Sequence, residues 1–350
     1  MQHEEKYGKG AIEDTLDNRD VQYSHIAMGT PEFDWQKGYD VEEELSVILN
    51  IPNFKKPVKD QDGSGSCGGQ AWGYYGATLE AIATETYEER SAKFIYAQTH
   101  VMPAGSAGRT NCDLVISQGW ATEVSCPSYD GGVAPGEAFM QRVGDITQEA
   151  RDTAKIAKAL LYANVGVNID LLAQAIRDNH GTVIGVNGKN NGTWASKFPL
   201  APDTISGSWA HWLYGGKAKM INGKKYIGIL NSWGKDVGDS GWQWIGEDYF
   251  KLYSNVSYAI FSIWTMVFKG KDPDFSHKFT AVLKVGSSGD EVTSLQKALN
   301  LEGMFKGTID GKYGLITKAS VKAFQTRYNL TVDGWVGPKT NAKLNQLYSK

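Results

Sequence analysis

The sequence predicts an α+β fold in which a large domain with helices first and antiparallel strands later is followed by a small three-helix module. Three observations predict it. Helical spacing of apolar residues runs through the stretch after residue 70, short apolar strands dominate beyond residue 182, and a turn-and-helix pattern recurs near the C-terminus. That order of helices, then hairpin-connected strands, is the pattern of an α+β domain. At roughly 150 residues per domain, the 350 residues suggest two domains.

Residues 1–32 are polar and rich in Asp and Glu, and read as an N-terminal arm or a short pro-segment. Pro57 to Gly69 is a loop with glycine dense enough to mark close backbone approach. From Gln70 to Thr86, Trp72, Tyr75, Leu79, Ile82 and Ala83 fall at helical spacing, so Cys67 is expected at the N-terminus of a buried helix. Residues 91–160 read mostly helical, with breaks at 104–108 and around 130–136. Ile169–Asn179 reads as an amphipathic helix stopped by Gly181, and Thr182–Val186 as a buried strand. Strands Trp209–Met220 and Lys224–Leu230 flank Asn222-Gly223, a strong hairpin signal. Trp242–Ile245 and Ser257–Phe268 complete the β-rich half.

Residues 269–280, with Pro273 and five charged residues, read as a linker between a domain at 33–268 and a module at 281–350. In that module Asp310-Gly311-Lys312-Tyr313-Gly314 recurs 23 positions later as Asp333-Gly334-Trp335-Val336-Gly337. Val292, Leu295 and Leu299, then Val321, Phe324 and Tyr328, supply apolar helix faces.

Composition excludes several classes. A chain that is 41% hydrophobic and 21% charged is not disordered. A net charge of −3 argues against a general nucleic-acid binder, although residues 281–350 carry nine Lys and one Arg against five acids. Cys67, Cys112 and Cys126 are too few for a disulfide framework; Cys112 and Cys126 are expected near enough to pair in an oxidising setting. No apolar run is long enough to span a membrane. Met1 to Lys6 lacks the basic-then-apolar layout of a leader, so action outside a cytoplasm would need another route or a leader already removed.

The chemistry concentrates on few residues. A thiol at a helix N-terminus can be stabilised as thiolate by the dipole and free N–H groups, and Cys67 has that position; the plain alternative is a buried structural thiol. Of six histidines, His211 lies in the apolar strand Trp209–Leu213, as a positioned base or as a satisfied core residue. Asn231, at the end of the next strand, could orient its ring. Thiol, imidazole and amide together make a cysteine-peptidase triad.

At these residues a resemblance becomes specific. Gln61-Asp-Gly-Ser-Gly-Ser-Cys67 resembles the signature of papain-like cysteine peptidases, and Asn231-Ser232-Trp233-Gly234 followed by Gly241-Trp242 resembles their orienting-Asn segment. Phe33-Asp34-Trp35 resembles the start of the mature enzyme, and 119–127 a later stretch, so the resemblance covers about 30–268. It implies a two-lobed fold, helical in one lobe and antiparallel β in the other. It also implies Cys67 as nucleophile, His211 as base and then acid, Asn231 as orienter, Trp233 as shield, and Gln61 with the Cys67 N–H as oxyanion hole. No cofactor or metal is implied. Two departures stand out: Gly68 follows the nucleophile where the family usually has Trp, and Ser64 replaces a disulfide cysteine.

The C-terminal module is similar to the peptidoglycan-binding domain of bacterial and phage wall enzymes. Its glycines and aspartates read chiefly as turn builders, with Tyr313 and Trp335 as candidate contacts to sugar or peptide. The combined expectation is a thiol peptidase acting at the bacterial wall or extracellularly, encoded by a phage or released by another route. It would cut wall peptide cross-links or wall-associated proteins. The competing readings are a non-catalytic wall-binding protein on the same scaffold, and an amidase of another branch, against which Gln61 and the Asn-Ser-Trp-Gly segment argue.

Overall fold

Eighteen residues from Cys67 to Thr84 form the longest helix, and from Cys67 to Leu79 every side chain on it is buried. A helix apolar all round belongs at the centre of a fold, and this one packs on the longest strand. The computed structural model describes residues 9–15, 17, 20–28, 30–129, 136–159, 161–253, 256, 257, 259–267 and 275–349. Residues 269–274 of the expected linker and 130–135 of the expected glycine-rich break lie outside them, as do residues 1–8 of the arm.

In chain order the elements are β1 (Ala11–Ile12), α1 (Tyr23–Ala27), β2 (Tyr39–Asp40), α2 (Val41–Ile48) and α3 (Cys67–Thr84). There follow α4 (Ala92–Thr99), β3 (Ser106–Ala107), α5 (Gly108–Ser117), α6 (Glu137–Met140) and α7 (Gln148–Ala154). Then come β4 (Leu161–Asn164), α8 (Ile169–Asn179), β5 (Thr182–Gly188), β6 (Trp209–Ile221), β7 (Lys224–Leu230) and β8 (Trp242–Gly246). The remaining elements are β9 (Leu252–Tyr253), β10 (Val256–Ser257), β11 (Ile260–Val267), α9 (Asp290–Leu301), α10 (Leu315–Arg327) and α11 (Pro338–Tyr348).

The chain divides into two units. The first comprises Met1–Thr15, Phe33–Lys158 and Gly166–Thr265. Its sheet strands run antiparallel in the order β11-β5-β6-β7-β8, with β2 added on β6. Asn222 and Gly223, at φ 50° and 76°, make the β6–β7 hairpin, and both values fall where a two-residue hairpin turn needs them. Cys67, Cys112 and Cys126 are all buried, and none of the three forms a disulfide.

The second unit comprises Leu16–Glu32, Ala159–Val165 and Met266–Lys350. Three helices, α9 to α11, build it as the sequence predicts. Short α1, with Tyr23 and Ile26 buried, packs on α10. Residues 275–280 also pack. Asn345 accepts from the Phe279 N–H at 2.6 Å and donates to its carbonyl at 2.7 Å, and Phe279 is buried.

The sequence repeat is a repeated hydrogen-bond knot. Gln296 Oε1 accepts from the N–H groups of Asp310 and Gly311, while its Nε2 donates to Asp310, the Lys312 carbonyl and Thr317. Gln325 does the same one repeat later, accepting from the Gly334 N–H and donating to Asp333, the Trp335 carbonyl and Thr340. Each buried Gln thus satisfies the turn that starts the next helix.

Candidate active site

Cys67 opens α3 from a loop tied by its own side chains. Ser64 Oγ donates to the Gln61 carbonyl at 2.8 Å and lies 2.7 Å from Ser66 Oγ, so hydrogen bonds stand where the resemblance implies a disulfide. Glu137 accepts from the Gly65 N–H and from the Tyr96 hydroxyl, pinning the loop from a distant helix. Gln61 is buried. Its Nε2 donates to the Ser64 carbonyl at 2.8 Å and its Oε1 accepts from Ser232 Oγ at 2.5 Å. Gly68 fits because a Cβ there would lie 2.3 Å from Ser106 Oγ and 2.7 Å from Asn111 Nδ2. Space excludes the tryptophan usual in the family.

His211 sits on β6, one residue before Trp212. The backbone groups of Trp212, Gly10 and Gly68 lie close enough to the Cys67 sulfur to lower its pKa, and α3 packs on β6, so the thiol lies beside the His211 segment. His211 Nε2 lies 2.9 Å from Asn231 Oδ1, and the Ser232 N–H donates to the same oxygen at 2.7 Å. The Trp233 ring lies over the imidazole, with centroids 4.9 Å apart, and Trp209 and Trp194 pack behind Trp233. His211 Nδ1 has no hydrogen-bond partner among the described residues, so the thiol and the ring are not yet bonded to each other.

Cys67 stands at the start of α3, as the sequence predicts, and its thiol is fully buried. The N-terminal segment covers it. Ala11 and Ile12 pair in parallel with Ser106 and Ala107, and the Gly10 carbonyl accepts from the Ser106 N–H at 2.7 Å. Only glycine fits at position 10, since a Cβ would lie 2.0 Å from the Gly65 carbonyl oxygen. Lys9 Nζ stands 5.1 Å from the Trp209 ring centroid and 5.8 Å from that of Trp233. Asp14 accepts from the Arg109 N–H at the start of α5 and from Trp264 Nε1, anchoring the far end of the segment.

Burial sets the charge state. It pushes the Cys67 thiol up to about 11, against the opposing pull of the backbone hydrogen bonds. It pushes the His211 ring down to about 4, with the Asn231 bond raising it and Lys9 lowering it further. At neutral pH burial therefore favours the neutral thiol and the neutral imidazole.

In the second unit the two candidate aromatics part company. Trp335 is 48% exposed, with Lys284 Nζ 5.0 Å from its ring centroid. Tyr313 is 2% exposed and donates its hydroxyl to the Gly334 carbonyl at 2.9 Å, tying one repeated turn to the other. Its ring has no surface to offer a ligand. Sequence reading missed Gly10, Lys9, Glu137 and Gln243. Only Gln243 carried a signal, as a polar residue between two tryptophans in an apolar strand. Among the described residues no cluster of metal-ligating side chains occurs, and no helix is long and apolar enough to cross a membrane.

Comparison with known proteins defines the class by fold. The chain is similar to xylellain, a cysteine protease from Xylella fastidiosa, over 75% of its own length and 97% of that chain, with 21% identity and a TM-score of 0.57. It is also similar to digestive procathepsin L 3 of Tenebrio molitor, at 15% identity and a TM-score of 0.53 over 76% and 79%. The fold is thus that of the papain-like cysteine proteases, joined to a helical C-terminal region. Residues 288–344 of that region match the family described as putative peptidoglycan binding domain. There the chain is 38% identical over 72 residues to a spore cortex-lytic enzyme of Halalkalibacterium halodurans, covering 20% of this chain and 22% of that one. It is 40% identical over 79 residues to a zinc D-Ala-D-Ala carboxypeptidase of Streptomyces albus G, covering 21% and 30%. The chain spans less than a third of the length of these curated relatives.

Proposed function

We propose that this chain is a thiol peptidase directed to the bacterial cell wall, with residues 33–268 as its peptidase domain and 281–350 as its wall-binding module. The observation that carries the reading is the His211–Asn231 bond beneath Trp233, on the strand that lies against the Cys67 helix start. Cys67 attacks the peptide carbonyl carbon, and the oxygen takes up negative charge facing the Gln61 amide and the Cys67 N–H. Loss of one such donor typically costs about 10²–10³ in rate. His211 takes the thiol proton and returns it to the leaving amine; water then hydrolyses the thioester. Trp233 keeps water from the His211–Asn231 bond.

Residues 9–15 act as the short pro-segment in this reading. While Gly10 lies on the thiol, no carbonyl reaches it, and burial holds both reacting groups neutral. Departure of the segment restores solvent and lets the proton pass from sulfur to imidazole. A buried thiol also suits a non-catalytic wall-binding scaffold, so the test must separate the two. Purified peptidoglycan and casein are digested side by side by the wild type and Cys67→Ala, with products read by mass spectrometry. Thiol-dependent cuts in peptidoglycan peptides support a wall endopeptidase, and cuts in casein a protein peptidase. Cleavage equal in both proteins, or none after the N-terminal segment is released, overturns the catalytic reading.

A further inference from the structure

We infer that Gln243 is a positioning residue that fixes the amide of Asn231, and through it the proton-bearing nitrogen of His211. The inference rests on the catalytic reading above. Gln243 is fully buried as the second residue of β8. Its Nε2 donates to the carbonyls of Trp194 and Ser196, at 2.7 and 2.9 Å. Carbonyl oxygens only accept, so the amide cannot be flipped, and Oε1 must face the other way. There it accepts from Asn231 Nδ2 at 2.9 Å. Asn231 is then oriented too: with Nδ2 committed, Oδ1 faces His211 Nε2 and also receives the Ser232 N–H. An amide oxygen only accepts, so Nε2 carries the imidazole proton and Nδ1 is left as the lone-pair nitrogen. Nδ1 is the buried ring atom without a partner among the described residues. The loop from Trp194 to Ser196 thus determines, through two amides, which ring nitrogen is basic.

The charged group acting on the ring is Lys9, on the covering segment. The hydrogen-bond partner of Nε2 is Asn231 Oδ1, so the amide chain sets the tautomer there. An imidazolium formed during reaction would donate to Oδ1. Loss of that acceptor disfavours the protonated ring and moves the alkaline limb of activity to lower pH.

The experiment uses the full chain after release of its N-terminal segment, with Gln243→Met and Asn231→Ala singly and together. Peptide hydrolysis and Cys67 alkylation by iodoacetamide are followed across pH, with the modified residue identified by mass spectrometry. Gln243→Met should lower kcat by about 10- to 100-fold with KM little changed, shift the alkaline limb down, and add nothing in the Asn231→Ala background. Full additivity, or an unshifted limb, overturns the inference. Nitrogen-15 spectra of the imidazole in the wild type give a readout that needs no variant to fold and no activity: the proton should sit on Nε2, and a proton on Nδ1 overturns the inference. An inactive wild type with the Nε2–H tautomer would sink the catalytic reading and leave the amide chain standing.

Discussion

His211 carries the pH dependence expected at the scale of single residues. In the unfolded chain an imidazole binds a proton below about pH 6.5, whereas the buried ring does so only near 4. The unfolded state therefore binds more protons between those values, and stability falls as the pH drops from 6.5 toward 4. The loss is on the order of 3 kcal/mol for a shift of this size. Urea unfolding should show a steeper acid decline for the wild type than for His211→Gln; parallel curves would mean that the ring titrates normally. In the second unit, Tyr313→Phe should cost about 1 kcal/mol by orphaning the Gly334 carbonyl, with wall binding kept. Trp335→Ala should do the reverse, staying within about 0.5 kcal/mol in stability while weakening sedimentation with peptidoglycan.

At the scale of elements, β1 is the part proposed to govern access to the thiol. It is two residues long, held by parallel pairing to β3, by Asp14 at the start of α5 and by the fit of Gly10 against Gly65. So short a strand has few contacts to lose. Gly10→Ala puts a methyl where 2.0 Å is available, so the segment must lift while the sheet behind it stays. Alkylation of Cys67 should rise at least tenfold with little change in the melting of the first unit. Unchanged alkylation would mean that something other than this segment guards the thiol.

The limits of the units matter for any dissection of the whole molecule. Phe279 is buried and both its backbone groups bond to Asn345, and α1 lays Tyr23 and Ile26 on α10. A fragment of residues 281–350 should therefore melt below one of 275–350, although both should sediment with insoluble peptidoglycan. Residues 1–275, once the covering N-terminal segment is released, should cleave a small soluble peptide through Cys67 and lose most activity on insoluble wall at low enzyme concentration, because binding there raises local concentration. Wall binding by that fragment alone, or none by 275–350, would overturn the division of labour.

Much of the fold was legible because local chemistry dictated it. The apolar face of α8, the Asn222-Gly223 turn and the repeated Asp-Gly turns each satisfy their own backbone needs within a few residues. Cys67, His211, Asn231 and Gln61 were readable as residue types in a familiar spacing. What the chain alone could not show were relations between distant segments. Gly10 reads as an unremarked residue in a polar arm until Gly65 and Ser106 are found against it, and the burial of Cys67 follows only from that contact. Tyr313 and Trp335 stand one place apart in the repeat: Tyr313 matches Val336 and both turn inward, whereas Trp335 matches Lys312 and both face solvent. Gln243 shows the same limit: strand alternation marks it as a side chain with a face, and only tertiary packing brings two carbonyls and one amide to that face. Local sequence determined the elements and the reactive groups; three-dimensional neighbours decided which groups are covered, which are neutral and which nitrogen is basic, since desolvation and hydrogen-bond direction are properties of surroundings.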